Sequence, residues 1–534
     1  MSNVLIPSST INLMAQAVGY GSLPQRVLTE PWQLPRGSYV RSRVAGRILS
    51  PRPDVETDTN GALAYYRHNH SQMDYKVRIC VKGMSWPFKY ELVTAPAGAT
   101  IGSELTRTLD PATGLTVHTW NDDYAIVKWL NPTAGTHTFT VRVTDQEGLT
   151  EEVTWTTTQD DSKFVFVDSV NGNDTNSGAI ASPLATVHTG VWKLDDNDTT
   201  FVGRQLVFRA GTYPIYATAP NTSPVMDNTK KPITWRAFDG EVATMDTTQG
   251  HFRDTNGTGL YDISFIGLRL SGSRSDLNNN RMFNLLRPVH RGLFWGMSFA
   301  NTTVGNVGTD NPCSIGFYDN NATPHLDLAV VDCTLESTAK TQLHVTFSTR
   351  YFLSENNVID NPNLPLSNGA AAINLKDDTS EATVRHNRVT GTYVLAGLIV
   401  PNQNSVGAGR ISNQEVCYNT VVVTMTGDGG VALHVNQAAS TPNAENLNIY
   451  RNTVVSTVGA ALGFYSYPDS DPAIVGANLL CQDATTSNGT RGVHYYEFNP
   501  MNVMLDAIDF DVMGKLTGTA RTTHLGTMGA EVAA

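Results

Sequence analysis

Charge is scarce in this chain of 534 residues: Asp, Glu, Lys and Arg make up 16%, and the balance is acidic, at −12. That argues against a general nucleic-acid binder, because a phosphate backbone demands basic surface. Cysteine is scarce too. Cys80, Cys313, Cys333, Cys417 and Cys481 are odd in number and have no C-x-x-C spacing, which argues against a disulfide framework or a zinc site. Cys333 and Cys417 lie in strand-like repeats and are expected to pack as small apolar residues. No apolar run reaches the ~18 residues of a membrane span. The opening MSNVLIPSSTINLMAQ lacks a basic stretch followed by an apolar one, so no secretory leader is expected and folding in a cytoplasm is. Turn formers are plentiful, with 44 Gly and 25 Pro. With little charge, they suit an all-β chain that turns often.

Three regions follow along the chain. Residues 1–74 have little periodicity, a basic bias from Arg26, Arg36, Arg41, Arg43, Arg47 and Arg52, and prolines at 24, 31, 35, 51 and 53. They are expected to form an extended arm, laid over a neighbouring domain or anchored on an acidic partner. Residues 75–160 read as short strands: Lys76–Val81 and Thr138–Val143 alternate polar and apolar, TDQEG at 144–148 is a turn, and Glu151–Thr157 is a further strand. This spacing suggests a small β-sandwich. The runs YELVTAPAGAT (90–100), DPATG (110–114) and AGTHTFTVRVTDQEG (134–148) resemble Ig and cadherin-like modules of surface proteins, without the calcium motifs of true cadherins. The resemblance implies a spacer or adhesive unit.

The third region, 161–534, opens with FVFVDSVNGNDTNSGAIASPLATVH (164–188), which resembles the start of pectate-lyase-like right-handed parallel β-helix domains. The resemblance implies a strand, a turn and a short helical piece from Pro183 that together cap the first coil over 164–190. Asp168, Asn171, Asn173 and Asp174 are the residues that calcium would use, if any cofactor were bound. Tight-turn chemistry explains them as well and is the expected role. LVFRAGTY (206–213) and ITWRAFDGE (233–241) resemble early coils of the same family.

A repeat then becomes readable. Val384-Arg-His-Asn387-Arg-Val389 aligns with Val416–Val421 around Asn419, with Ile449–Val454 around Asn452, and with Val475–Leu480 around Asn478. Leu353–Val358 around Asn356 fits one coil earlier, and Cys333 replaces Asn in the coil before that. A period of 26 to 33 residues indicates stacked units, since 478 − 452 = 26 and 452 − 419 = 33. Asn tolerates the left-handed region that a sharp bend needs, and stacked amides can form a ladder. The expected fold class is therefore all-β: a right-handed single-stranded parallel β-helix with an N-terminal Ig-like β-sandwich and an irregular arm.

Before each turn Asn lies another strand with two inward apolar residues: Ile315/Phe317, Leu343/Val345, Ile373/Leu375, Leu398/Val400, Leu433/Val435 and Leu462/Phe464. Alternation sends Gly316, His344, Asn374, Ile399, His434 and Gly463 outward, with a neighbouring row of Tyr318, Thr346, Lys376, Pro401, Asn436 and Tyr465. In pectate-lyase-like proteins the equivalent face carries a saccharide groove. Aromatic and hydrogen-bonding residues suit sugars, so Tyr318, His344, Asn374, Lys376, His434, Asn436 and Tyr465 are the candidate carbohydrate contacts. An ordinary solvated sheet face is the alternative.

Catalysis would need more. A lyase of this family uses a Lys or Arg base, for which Lys376, with Arg385, His344 or His434, is the candidate. The adjacent Asp377 and Asp378 would keep Lys376 charged and so work against that role. A hydrolase needs paired carboxylates, about 5–5.5 Å apart for retention or about 6.5–9.5 Å for inversion. Asp377, Asp378, Asp319 and Glu336 are the candidates, and the N-T-D strand of polygalacturonase-type enzymes is absent. No catalysis on this face is the expectation.

The order of arm, Ig-like spacer and β-helix resembles bacteriophage tailspike, fibre or head-decoration proteins. That resemblance implies a virion-surface location, virion partners through residues 1–74, host polysaccharide as ligand, no nucleic acid, and a homotrimer as one possible assembly. LTGTARTTHLGTMGAEV (516–532) resembles the last turn and strand of a β-helix instead of a trimerising tail, which favours a monomeric or capsid-bound form. A polysaccharide lyase or glycoside hydrolase, or a non-catalytic bacterial adhesin, acting outside the cell, are the alternatives.

Overall fold

The structure is a computed structural model. It describes residues 42, 44–55, 64–103, 105–109, 116–187, 189, 205–216, 225–226, 234–249, 252–254, 259–272, 281–285, 287–302, 313–317, 323–337, 341–345, 348–361, 371–376, 379–393, 396–403, 411–425, 431–437, 444–456, 460–465, 473–476, 479–482, 493–496, 503–505 and 512–513. Two compact units emerge: Ala45–Glu104 with Asn121–Asn357, and Met1–Val44 with Leu105–Trp120 and Val358–Ala534.

Both units contain coils of one plan. Each coil contributes a strand to a first, a second and a third parallel sheet in turn. In the Asn121–Asn357 part the first sheet runs from Phe164–Val167 through Gln205–Phe208, Thr234–Ala237, Ser264–Ile266, Val289–Trp295 and His325–Val331 to Thr349–Glu355. In the Val358–Ala534 part it comprises Ser380–Arg385, Ile411–Cys417, Ala444–Tyr450, Ala473–Gly476 and Val503–Leu505. Each unit thus contains a parallel β-helix, as the repeat led one to expect. Parallel stacking puts like side chains one above another about 4.8 Å apart, so an apolar residue in one coil finds its shelf in the next.

The register matches the sequence alignment over three coils and corrects a fourth. Val384 pairs with Val416 and Val416 with Ile449, while Val389 pairs with Val421 and Val421 with Val454. Ile359, however, pairs with Val389, which makes Asn357 and not Asn356 the counterpart of Asn387. Asn356 takes the left-handed conformation instead (φ 55°), as do His386, Tyr418 and Arg451, each one residue ahead of its turn Asn. The bend is therefore made by the preceding residue. The Asn is there for its amide. The Asn419 Oδ1 accepts from the backbone N–H and the Nδ2 of Asn387, both at 3.0 Å, and the Asn452 Oδ1 serves Asn419 in the same way at 3.1 and 2.9 Å. The Asn419 and Asn452 amides also donate to the carbonyls of Val384 and Val416. Asn478 lies outside the described residues.

Ahead of the coils sits an antiparallel module. Thr136–Thr144 pairs with Thr150–Gln159 and with Lys89–Thr94, and Tyr75–Arg78 and Ala99–Ile101 flank Ile126–Trp129. Its core is aromatic: Phe139 stacks on Trp155 at 5.3 Å, and Tyr75 and Trp129 close around Phe139. The described part of the expected arm does not stay irregular. Arg47–Ser50 forms a strand paired with Cys80–Lys82, and Tyr65 and Tyr66 are buried.

This module docks on the outer face of the first sheet through charge. Arg47 grips Asp327 with two bonds of 2.7 and 3.0 Å and lies over the Tyr351 ring. Arg78, fully buried, bonds Asp332 at 2.8 Å and the buried Glu355 at 3.1 Å. Removing one partner of such a buried pair costs about 3–5 kcal/mol, because the other charge is stranded. The outward residues Ala329, Val331, Leu353 and Glu355 are in consequence buried.

Hydrogen bonds shape the opening turn. The Asp168 carboxylate accepts from the backbone N–H groups of Val170 and Asn171 and from the Asn171 amide. Asp174 accepts from Ala185, Thr186 and the Thr186 hydroxyl. Partial burial would raise the Asp168 carboxyl, but the N–H donors outweigh it and hold it below the usual range. Most of the helical piece expected after Pro183 lies outside the described residues.

Candidate functional site

The third sheet of the Val358–Ala534 part carries the candidate face. Its strands are Ala371–Lys376, Ala396–Gln403, Val431–Gln437, Ala460–Tyr465 and Val493–Tyr496. Ile373, Leu375, Leu398, Val400, Leu433, Val435 and Leu462 are buried, as their alternation requires.

One outward row follows the alignment: Asn374 pairs with Ile399, Ile399 with His434, and His434 with Gly463. His344 pairs with Gly316 in the other unit. The open, flat face expected here is not what forms. Asn374 keeps 6% exposure, Ile399 none and His434 8%. Ile399 clusters with the buried Ala371 and Ala396. Asn374 and His434 are therefore interior polar groups of a covered row, whereas Lys376 at the strand end is half-exposed.

The neighbouring row is corrected by one residue. Lys376 pairs with Asn402, not Pro401, because the register shifts within Ala396–Gln403. Asn402 then pairs with Asn436, Asn436 with Tyr465, and Tyr465 with Tyr496. Asn402, His494 and Tyr496 are positions the sequence reading missed. Asn402 was hidden by an extra residue in its strand. The VHYY strand at 493–496 precedes a coil with no readable Asn marker of its own, so the alignment did not reach it.

The other candidates are dispersed. Tyr318, Asp319, Asp377 and Asp378 lie outside the described residues. Glu336 is exposed on a second-sheet strand, Thr334–Ser337, of the other unit. Arg385 is on the first sheet, 1% exposed, where it faces the buried Glu415. It does not share a sheet with Lys376. Glu415 accepts from the hydroxyls of Thr383 and Tyr450, and burial pushes its carboxyl up. This satisfied knot fixes three coils together. The five third-sheet strands contain no Asp or Glu among their described residues, so they hold no carboxylate pair.

By residue type, the Lys376 row has a Lys, two Asn and two Tyr at successive coils. Such a row can hydrogen-bond hydroxyls and stack on apolar ring faces. No family model matches the sequence, and no curated protein matches it. Solved structures do show a similar chain course. A GH136 lacto-N-biosidase from Eubacterium ramulus has 11% identity over 62% of this chain and 67% of its own, with a TM-score of 0.37. A family 28 exopolygalacturonase from Yersinia enterocolitica has 9% identity over 83% of this chain and 84% of its own, with a TM-score of 0.39. Nothing in these comparisons points to a phage protein.

Proposed function

We propose that this chain binds a polysaccharide along the row Lys376, Asn402, Asn436, Tyr465 and Tyr496. The observation behind this reading is the register itself: five consecutive coils bring a hydrogen-bonding or aromatic residue type to one position. Their spacing of about 4.8 Å is close to the length of one pyranose unit, so successive coils meet successive sugars. Asn374 and His434, two residues earlier on the strands of Lys376 and Asn436, are buried beside the row. The expected right-handed coil and the Ig-like character of the antiparallel module belong to the same reading. A virion location rests only on the order of the domains, and recognition of a glycan does not depend on it.

Cleavage of the bound chain is the second reading, and hydrolysis is its favoured form. Asp377 and Asp378 follow Lys376 directly at the end of the first strand of the row. They are the only carboxylates in sequence next to it.

Affinity electrophoresis through gels containing a panel of neutral and acidic polysaccharides tests the proposal. Retardation by at least one polysaccharide is expected, and Asn436→Ala and Tyr465→Ala should abolish it. If no polysaccharide retards the protein, or the variants migrate like wild type, the row is not the site. New reducing ends that disappear in Asp377→Asn or Asp378→Asn would establish hydrolysis, and unsaturated uronate absorbance lost in Lys376→Ala would establish a lyase.

A further inference from the structure

The strand Ala396–Gln403 is out of step with both of its neighbours. On one side Ile399 pairs with Asn374 and Asn402 with Lys376, so Val400 and Pro401 together span the single residue Leu375. On the other, Ile399 pairs with His434 and Asn402 with Asn436, so the same two residues span Val435. The later strands, Val431–Gln437, Ala460–Tyr465 and Val493–Tyr496, pair without any shift. One residue has thus been added to one coil.

A bulge of this kind interrupts the hydrogen-bond ladder, bends the strand and sharpens its twist. Pro401 adds to the interruption, since it has no N–H to give. The strand is interior to the sheet and does not end at the bulge, because Gln403 still pairs with Gln437. Strand termination and edge protection, the common structural reasons for a bulge or a proline, therefore do not apply. What the extra residue changes is the approach to the row. It puts two residues, Val400 and Pro401, where the coils on either side have one, directly ahead of Asn402. Bulges are over-represented beside functional sites because they re-aim a side chain.

We propose that the Val400–Pro401 bulge is the specificity centre of the polysaccharide row, bending the strand just ahead of Asn402 so that this residue, paired with Lys376 and Asn436, reads one sugar unit of the bound chain. This rests on the saccharide-binding reading above. The coil with the bulge selects the sugar, and the unbulged coils beyond it, at Asn436, Tyr465 and Tyr496, add affinity with less discrimination.

Deleting Pro401 is the direct test, because it should restore a regular register. Val400 would then face Leu375 and Val435, and Asn402 would keep its pairing with Lys376 and Asn436. The deletion variant is expected to melt at or above the wild-type temperature, yet to bind the polysaccharide that retards wild type about tenfold more weakly. Pro401→Ala keeps the extra residue and should bind within about threefold of wild type. A folded deletion variant that binds like wild type overturns the inference and leaves the saccharide reading standing. Wild-type protein that binds nothing in the panel removes both. If the deletion variant does not fold, Asn402→Ala decides: about a tenfold loss supports the proposal, and unchanged affinity refutes it.

Discussion

The two units build the same three-sheet coil and fill it differently. Between Phe208 and Phe317 the interior is a pile of rings. Phe265 stacks on Phe294 at 5.3 Å, Phe252 on Phe283 at 4.7 Å, and Trp235 bridges Phe208 and Phe252. From Ala371 to Leu462 the interior is mostly Val, Leu and Ile, and the corner carries the Asn ladder. Ring stacking buries much area but fixes register only through shape. An amide ladder buries little, yet each rung both accepts and donates, so a slip of one residue would leave four partners unsatisfied. The aromatic coils thus rely on volume and the ladder coils on hydrogen bonds. The left-handed corner before the ladder position is common to both, filled by Gly267, Gly296, Asp332 and Asn356 in one unit and His386, Tyr418 and Arg451 in the other.

The largest effect that could break this comparison is expected in the ring pile. Phe283 contacts the rings of Phe252, Phe265, Phe294 and Phe299. Phe283→Ala should cost about 3–5 kcal/mol, read as a lowered denaturation midpoint. A loss under about 1 kcal/mol would mean that the pile collapses to fill the gap, and that shape does not fix these coils.

The ladder is next. Asn419→Ala removes two bonds received from Asn387 and two given to Val384 and Asn452. Stranding the buried N–H and Nδ2 donors of Asn387 should cost about 3 kcal/mol. Asn357→Ala should cost less, because its rung toward Cys333 is a single backbone bond. Equal losses at the two positions would show that the ladder adds nothing beyond each local turn.

This contrast also explains what could be read in advance. The ladder coils were legible because one polar residue type recurs at one position inside an apolar pattern. The aromatic coils were harder, since Leu206, Trp235, Phe265 and Phe294 share a register but not one residue type. Two errors have one cause, namely an ambiguous count of one. Asn356 and Asn357 are adjacent, so the alignment chose the wrong amide, and the bulge at Val400–Pro401 displaced Asn402 from its row. Exposure was not legible at all. Alternation tells which side of a strand Asn374 and His434 occupy, but not what lies over that side. Docking through Arg47 and Arg78 was equally hidden, because their acidic partners are about 250 or more residues away in the chain.

A smaller effect, and one confined to the first unit, comes with acid. His325 is buried, its Nδ1 accepts the Val289 N–H at 3.0 Å, and burial lowers its pKa to about 3. In the unfolded chain the imidazole protonates near 6.5. The folded pKa is the lower one, so the native state is favoured fully above about pH 6.5 and loses that advantage as pH falls toward 3. The slope is at most about 1.4 kcal/mol per pH unit, or roughly 2 kcal/mol by pH 5. His325→Asn should flatten the stability profile between pH 6.5 and 5. It will not level it, since burial also lowers the pKa of His68, His70 and His290. A variant with the wild-type slope would place the acid sensitivity elsewhere.

The smallest effect is the most pointed, because it asks whether one unit can be given the other's device. Cys333 stands at the ladder position: its N–H donates to the Asn357 Oδ1 at 2.9 Å, as that of Asn387 does to Asn419. Its thiol lies 3.5 Å from the carbonyl of Phe294, the counterpart of the carbonyls that the Asn419 and Asn452 amides reach at Val384 and Val416. The position thus already has the acceptor that an amide needs, and the Met297 backbone N–H nearby is the donor that an amide oxygen would take. Cys333→Asn should build a ladder rung on Asn357 and raise stability by about 1 kcal/mol, seen as a higher urea midpoint at unchanged slope. The larger side chain must fit beneath Phe294, in the ring-filled part of the coil. If the substitution destabilises, the aromatic filling leaves no room for an amide at its corner. Each filling would then exclude the other, and Cys333 would mark the boundary at which one device gives way to the other.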